Sequence, residues 1–161
     1  MSPEATVLEA RVRRELEQLR RLKRELEAIM KPYRHRPVTS TTVLRALGSI
    51  LHDFYSGVEK IFINVAKEID RTMPKAEGWH RLLLEQMTLQ LNRRRPPVID
   101  TELAEELLGY LAFRHRFRNL YGFDLEWKRM EGLIRSLPET LDRFAVRIES
   151  FLEALEKAGD E

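Results

Sequence analysis

The sequence contains no cysteine. This absence excludes disulfide bonds, thiolate catalysis and cysteine-ligated zinc, and it fits a reducing compartment. No apolar run approaches the roughly 18 residues that suggest a membrane-spanning helix. The charged start of the chain also lacks the apolar segment of a signal peptide. We therefore expect a cytoplasmic protein that does not associate with membranes.

Common catalytic signatures are also absent: there is no glycine-rich phosphate loop, no nucleophile elbow and no paired metal motif. Glu77 and His80 have the Glu-x-x-His spacing of di-iron bundles, but such sites need two copies of this motif and two further glutamates. The sequence therefore predicts no metal and no cofactor. Trp79 and His80 are expected to have a structural role.

The composition is that of one globular domain covering residues 1–161. The hydrophobic fraction of 43% is enough for an ordinary core, and a domain of this length buries roughly 70% of the surface that its unfolded chain exposes. The charged fraction of 34% is high and is typical of long helices with solvated outer faces. Because 28 basic residues nearly balance 26 acidic ones, only local clustering can indicate a nucleic-acid partner.

Apolar residues recur at steps of three or four along five segments, the spacing that predicts one apolar face of an α-helix. We predict an all-α, antiparallel up-and-down bundle of about five helices. Pro138 is expected to kink or split the last helix, and Gly48 and Gly57 mark close helix contacts or a bend. The predicted helices run from about Glu4 to Met30, from Ser40 or Thr41 to before Pro74, from about Trp79 to Asn92, from Asp100 or Thr101 onward, and from after Phe123 to the C-terminus.

The most informative chemical pattern is a basic stretch near the end of the fourth predicted helix. On a helix, Arg114, Arg118 and Tyr121 share one face, at i, i+4 and i+7. His115 and Asn119 form an adjacent row. Such a set suits a phosphate and a ribose hydroxyl, because a guanidinium donates in a fork that matches phosphate oxygens. The alternative is a solvated basic face that pairs with acidic residues elsewhere.

Further basic residues are candidates for an RNA-binding track beside this stretch. Arg116 and Arg118 lie within it, and Arg94 and Arg95 lie in the connector before the fourth helix. A charged connector that is merely solvated remains the alternative for the latter two.

Two acidic residues of the second predicted helix are candidates to face the motif arginines across the bundle. If so, Asp53 and Glu59 should lie within salt-bridge distance of Arg114 or Arg118.

The basic stretch resembles the motif of HepT-like proteins of the HEPN superfamily. That motif reads arginine, a polar residue, three residues, histidine, one residue and tyrosine. It falls here on Arg114, His115, Asn119 and Tyr121, with asparagine at the histidine position. Further matches follow in consistent order over about residues 44–137, in Phe54–Asp70, Trp79–Leu83 and Arg95–Ile99.

This resemblance implies a bundle that forms a homodimer, with two motif helices facing each other across a cleft. It also implies metal-independent RNA cleavage, in which the arginine and the histidine act at the scissile phosphate. The partner it implies is a minimal nucleotidyltransferase antitoxin that adds adenylate to the motif tyrosine, Tyr121 here.

The asparagine at position 119 bears directly on the expected activity. Asn119 forms hydrogen bonds but does not move protons near neutral pH as histidine does. His115 supplies an imidazole, but on a helix it points about 100° away from Arg114. Three hypotheses follow: a toxin–antitoxin ribonuclease, an RNA-binding or regulatory relative without cleavage, and a purely structural helical adaptor.

Overall fold

A computed structural model describes residues 2–160. Within this range the chain forms an all-α bundle of five α-helices, as predicted, and no helix there is long and apolar enough to cross a membrane. The helices are α1 (Pro3–Met30), α2 (Thr41–Val65), α3 (Trp79–Gln86), α4 (Thr101–Phe117) and α5 (Trp127–Gly159).

The starts of α2 and α4 follow from side chains that cap free amide groups. The Ser40 hydroxyl accepts a hydrogen bond from the Val43 amide at 3.3 Å. The Asp100 carboxylate accepts one from the Leu103 amide at 2.7 Å. Each cap satisfies one amide that the helix itself leaves without a partner. The predicted starts of both helices are therefore confirmed.

Helix α2 lies at the centre of the bundle and contacts all four other helices. Two glycines allow this close packing. A Cβ atom on Gly57 would lie 2.6 Å from Cδ2 of Leu19 in α1, and one on Gly48 would lie 2.8 Å from Cε2 of Phe117 in α4. The predicted close helix contacts at both glycines are confirmed.

Alanine at position 57 is expected to lower the free energy of unfolding by about 1–3 kcal/mol, because Leu19 is fully buried and has little room to move. The matched control is Gly132→Ala on α5, where an added Cβ meets no atom within 4 Å. This control should gain up to about 1 kcal/mol from the better helix propensity of alanine. Urea unfolding of both variants measures the difference. Equal effects of the two substitutions would contradict the close packing of α1 on α2.

The predicted end of α3 is wrong, and so is the predicted split of α5 at Pro138. Helix α3 ends at Gln86 and not near Asn92, because the backbones of Leu91 and Arg95 exchange two hydrogen bonds of 3.0 Å and close a turn.

Helix α5 continues through Pro138 as one element. Proline removes only one backbone donor, and buried side chains on both sides of it hold α5 against the core: Ile134, Leu137, Leu141 and Phe144.

Helix α4 also ends earlier than the motif requires. Its last residue is Phe117, so the segment 118–121 follows the helix. The amides of Asn119 and Leu120 bond to carbonyls three residues back, which tightens and closes the last turn. The chain then leaves the helix axis and buries Leu125 against Gly48. The predicted continuous helical face through residue 121 is therefore wrong.

Candidate functional site

The motif arginine lies in a buried cluster built by three helices. Arg114 comes from α4, Glu59 from α2 and His80 from α3. The side chains of Arg114 and Glu59 are only 4% and 8% exposed, and they form a salt bridge of 3.0 Å. The predicted pairing of Glu59 with a motif arginine is confirmed. Asp53 is exposed and contacts the neighbouring His52 at 3.4 Å, so the prediction for Asp53 is wrong.

The guanidinium of Arg114 is held on several sides. Its Nη2 donates to both Glu59 oxygens, at 3.1 and 3.0 Å, and its Nη1 lies 3.4 Å from the Ser56 hydroxyl. The guanidinium carbon lies 5.0 Å from the centre of the Tyr55 ring. Burial, helped by the nearby Glu59 charge, raises the pKa of Tyr55, so its phenol stays neutral. Arg114 thus has a fixed position and is not a free surface cation.

His80 completes this cluster. Its Nδ1 lies 2.7 Å from Oε2 of Glu59 and 3.0 Å from Nη2 of Arg114. Since Arg114 only donates and the carboxylate only accepts, the short contact with Glu59 is best satisfied by an Nδ1–H donor. In the neutral ring this leaves Nε2 as the nitrogen with a free lone pair. The ring stacks on Trp79 at a centroid distance of 3.7 Å, and the His80 side chain is 30% exposed.

The other motif residues lie on a different surface. His115, Arg116 and Asn119 line an open pocket of about 290 Å³ between the end of α4 and the start of α5. Three charged residues that follow the motif also line it, Asp124, Glu126 and Arg129, and its apolar lining comes from Phe113, Leu120, Leu125 and Met130. Arg118 is exposed at the end of the helix. The structure therefore brings together three of the predicted residues and separates them from the buried Arg114.

Tyr121 lies on the surface next to this pocket. Its side chain is 72% exposed, and its ring stacks nearly parallel on that of Phe123, at 5.2 Å and 7°. Leu120 beside it is also exposed. The phenol that was predicted as a modification site is thus accessible to a second protein.

Arg95 has a structural role, and the RNA-binding prediction for it is wrong. Its side chain is fully buried and forms a bidentate salt bridge with Asp70, in which Nε lies 2.6 Å from Oδ1 and Nη2 lies 2.8 Å from Oδ2. Its remaining donors bond to the carbonyls of Leu89, Pro96 and Gln86. Every N–H of the guanidinium is therefore used inside the fold.

Arg94 is exposed, but it also has a local partner. Its Nη1 donates to the Ile69 carbonyl at 2.9 Å, in the short π-helical segment Ala66–Asp70 that follows α2. A cation that satisfies free carbonyls at the end of a helix is a common stabilising arrangement.

The part of the chain that the structure describes contains no group of three or more histidine, aspartate or glutamate side chains placed to hold a metal ion. Glu77 does not share a site with His80, whose Nδ1 faces Glu59 instead.

The role of His80 in the cluster was missed at the sequence level. His80 precedes Arg114 by 34 residues and follows Glu59 by 21, so no helical spacing connects the three. The available signals were the expectation that Glu59 faces a motif arginine and the place of His80 in Trp79–Leu83, one of the segments that carry the family resemblance.

Comparison with known proteins supplies one match. Residues 46–155 match a protein family described as HepT-like protein. This range contains the buried cluster, the pocket and Tyr121. No curated protein and no solved structure matches the chain.

Proposed function

Because this chain belongs to the HepT-like protein family, we propose that it is the RNA-directed component of a toxin–antitoxin or related defence module. The activity we propose is RNA cleavage without a metal ion. The observation that carries this proposal is the open pocket at the end of α4, which gathers the motif residues His115, Arg116 and Asn119 on one accessible surface.

The pocket has the chemistry to hold a nucleotide. Arg116 and Arg129 offer guanidinium groups to phosphate oxygens. Asp124 and Glu126 on the same wall accept hydrogen bonds from base amino groups or ribose hydroxyls. A surface with both signs of charge fits a nucleotide unit better than it fits a simple anion.

Metal-independent cleavage also needs a proton acceptor and a fixed positive charge near the scissile phosphate. Arg114 supplies a charge whose position the bundle holds rigidly. His115 places an imidazole at the pocket as one candidate proton acceptor, and Asn119 offers hydrogen bonds there. The active region that we propose therefore has two adjoining parts: the pocket with His115 and Asn119, with Tyr121 beside it, and the buried cluster that holds Arg114.

A second candidate function is RNA binding without cleavage. Two observations favour it: asparagine stands at the histidine position of the motif, and Arg114 is buried with its charge already paired. An RNA-binding or regulatory protein needs only the exposed pocket and the basic residues around it.

We further propose that the chain forms a homodimer and is recognised by a minimal nucleotidyltransferase antitoxin. The exposed apolar side chains of Leu120, Tyr121 and Phe123 support a protein-binding surface next to the pocket. Tyr121 presents its phenol there, in an accessible position for transfer of an adenylate group.

The substitution Arg116→Ala is expected to weaken the binding of single-stranded RNA. It should also make the slope of the logarithm of the binding constant against the logarithm of the salt concentration shallower by about one, because one phosphate contact is lost. Fluorescence anisotropy with labelled RNA over a salt series measures both quantities. Arg24→Ala on α1 is the control, since it also removes an exposed positive charge but from a helix that does not line the pocket. Equal slopes for both variants, or no salt-sensitive binding by the parent, would favour a structural adaptor.

A further inference from the structure

The imidazole closest to the motif arginine belongs to His80. Its Nδ1 lies 3.0 Å from Nη2 of Arg114 and 2.7 Å from Oε2 of Glu59. Neither the motif nor the resemblance assigns any role to this histidine. Its ring joins the buried ion pair on one edge and is partly open to solvent.

We propose that His80 is the general base of RNA cleavage and that Glu59 is the residue that positions it. This inference rests on the ribonuclease activity proposed above. It assigns to His80 the proton transfer that Asn119, at the histidine position of the motif, does not perform.

The neighbours of His80 orient its ring for proton transfer. A proton on Nδ1 satisfies the 2.7 Å contact with the Glu59 carboxylate and places the lone pair of the neutral ring on Nε2. A carboxylate in this position also stabilises the imidazolium that forms when Nε2 takes a proton, as in hydrolases that pair histidine with an acid. Stacking on Trp79 fixes the plane of the ring.

His115 has no comparable support. It is exposed at the pocket near the end of α4, one residue after the buried Arg114. An imidazole that is oriented by a carboxylate beside a fixed cation reaches a productive geometry at a smaller cost in entropy than a free surface side chain does.

The reaction step is a transfer within the RNA strand. Nε2 of His80 takes the proton of a ribose 2′-hydroxyl, and the 2′ oxygen forms a bond to the adjacent phosphorus. The bond from phosphorus to the 5′ oxygen of the next nucleotide breaks, and that oxygen takes a proton from water. The resulting hydroxide removes the proton from His80. The products are a 2′,3′-cyclic phosphate and a 5′-hydroxyl end, without an oxidant or a metal.

The decisive substitution is His80→Asn. Its amide nitrogen lies near the position of Nδ1 and can still donate to Glu59, but there is no group in place of Nε2. The cleavage rate of this variant is expected to fall by at least about 100-fold. Its affinity for a 2′-O-methyl RNA, which cannot be cleaved, should stay within about a factor of two, because phosphate contacts dominate affinity. The control is His35→Asn in the exposed connector after α1, which should cleave like the parent.

Chemical rescue separates catalysis by His80 from a structural role. Added imidazole is expected to restore part of the cleavage by His80→Ala and to leave His35→Asn unchanged. A structural role predicts no rescue, so its absence in a folded His80→Ala protein, checked by circular dichroism, would overturn the proposal.

The parent protein and His115→Asn complete the test. A parent that cleaves RNA together with an equally active His80→Asn overturns the role of His80 and leaves the ribonuclease function standing. Loss of cleavage in His115→Asn, with His80→Asn still active, also overturns the role of His80 and identifies His115 as the base. A parent that leaves RNA intact overturns both the ribonuclease function and this inference.

Discussion

Replacing Asp70 with alanine is expected to lower the free energy of unfolding by about 3–5 kcal/mol. The substitution leaves the Arg95 guanidinium fully buried without its counter-charge, since both side chains have no exposed surface. It also removes the acceptor of the Gln86 side-chain amide, which donates to Asp70 at 2.8 Å. The pair of Asp70 and Arg95 connects the end of the segment after α2 to the connector before α4. Its loss should therefore make the position of α4, the motif helix, less well fixed.

Urea unfolding followed by far-ultraviolet circular dichroism measures this effect, as a lower midpoint with an unchanged slope. Glu131→Ala is the control, because its pair with Arg135 lies on the surface of α5 and should contribute at most about 1 kcal/mol. The double variant Asp70→Leu with Arg95→Met should recover only part of the loss, because three backbone carbonyls lose the donors of Arg95. A loss below about 1 kcal/mol in Asp70→Ala would show that the buried pair does not hold this connector.

Most of the fold could be predicted from local patterns. The caps Ser40 and Asp100 and the apolar spacing of α1 and α2 act over a few residues, which is why they can be read directly from the sequence. The end of α4 could not, because it depends on the packing of Leu125 against Gly48, 77 positions earlier in the numbering. The continuity of α5 through Pro138 likewise depends on burial of its apolar face, which outweighs one missing backbone hydrogen bond.

The site could be predicted only in part, for a related reason. The motif located Arg114 and the exposed pocket residues, because they are close neighbours along the chain. The roles of the other basic residues depend on burial, which local patterns do not show. Arg94 and Arg95 are adjacent in a basic connector, yet Arg94 is exposed and only Arg95 meets a buried carboxylate. His80 shares no spacing with Arg114, and only the packing of α3 against α2 and α4 brings the two together.

The second large effect is expected for Arg114 in cleavage. Arg114→Lys keeps a positive charge that can pair with Glu59, so the fold should survive, but it loses the planar fork of the guanidinium. If Arg114 stabilises charge at the scissile phosphate, its loss costs at least about 100-fold in rate, the usual effect of removing one such donor. Unfolding by urea confirms that the variant is folded before its activity is compared with that of the parent.

We propose that this HepT-like chain cleaves RNA without a metal ion, and the most direct test is cleavage of labelled RNA in the presence of a chelator. The parent, Arg114→Lys and Asn119→His are compared in the same assay. We expect cleavage by the parent and its loss in Arg114→Lys. A parent that leaves RNA intact while Asn119→His cleaves it would contradict the proposed activity, because the fold would then retain the site without the chemistry.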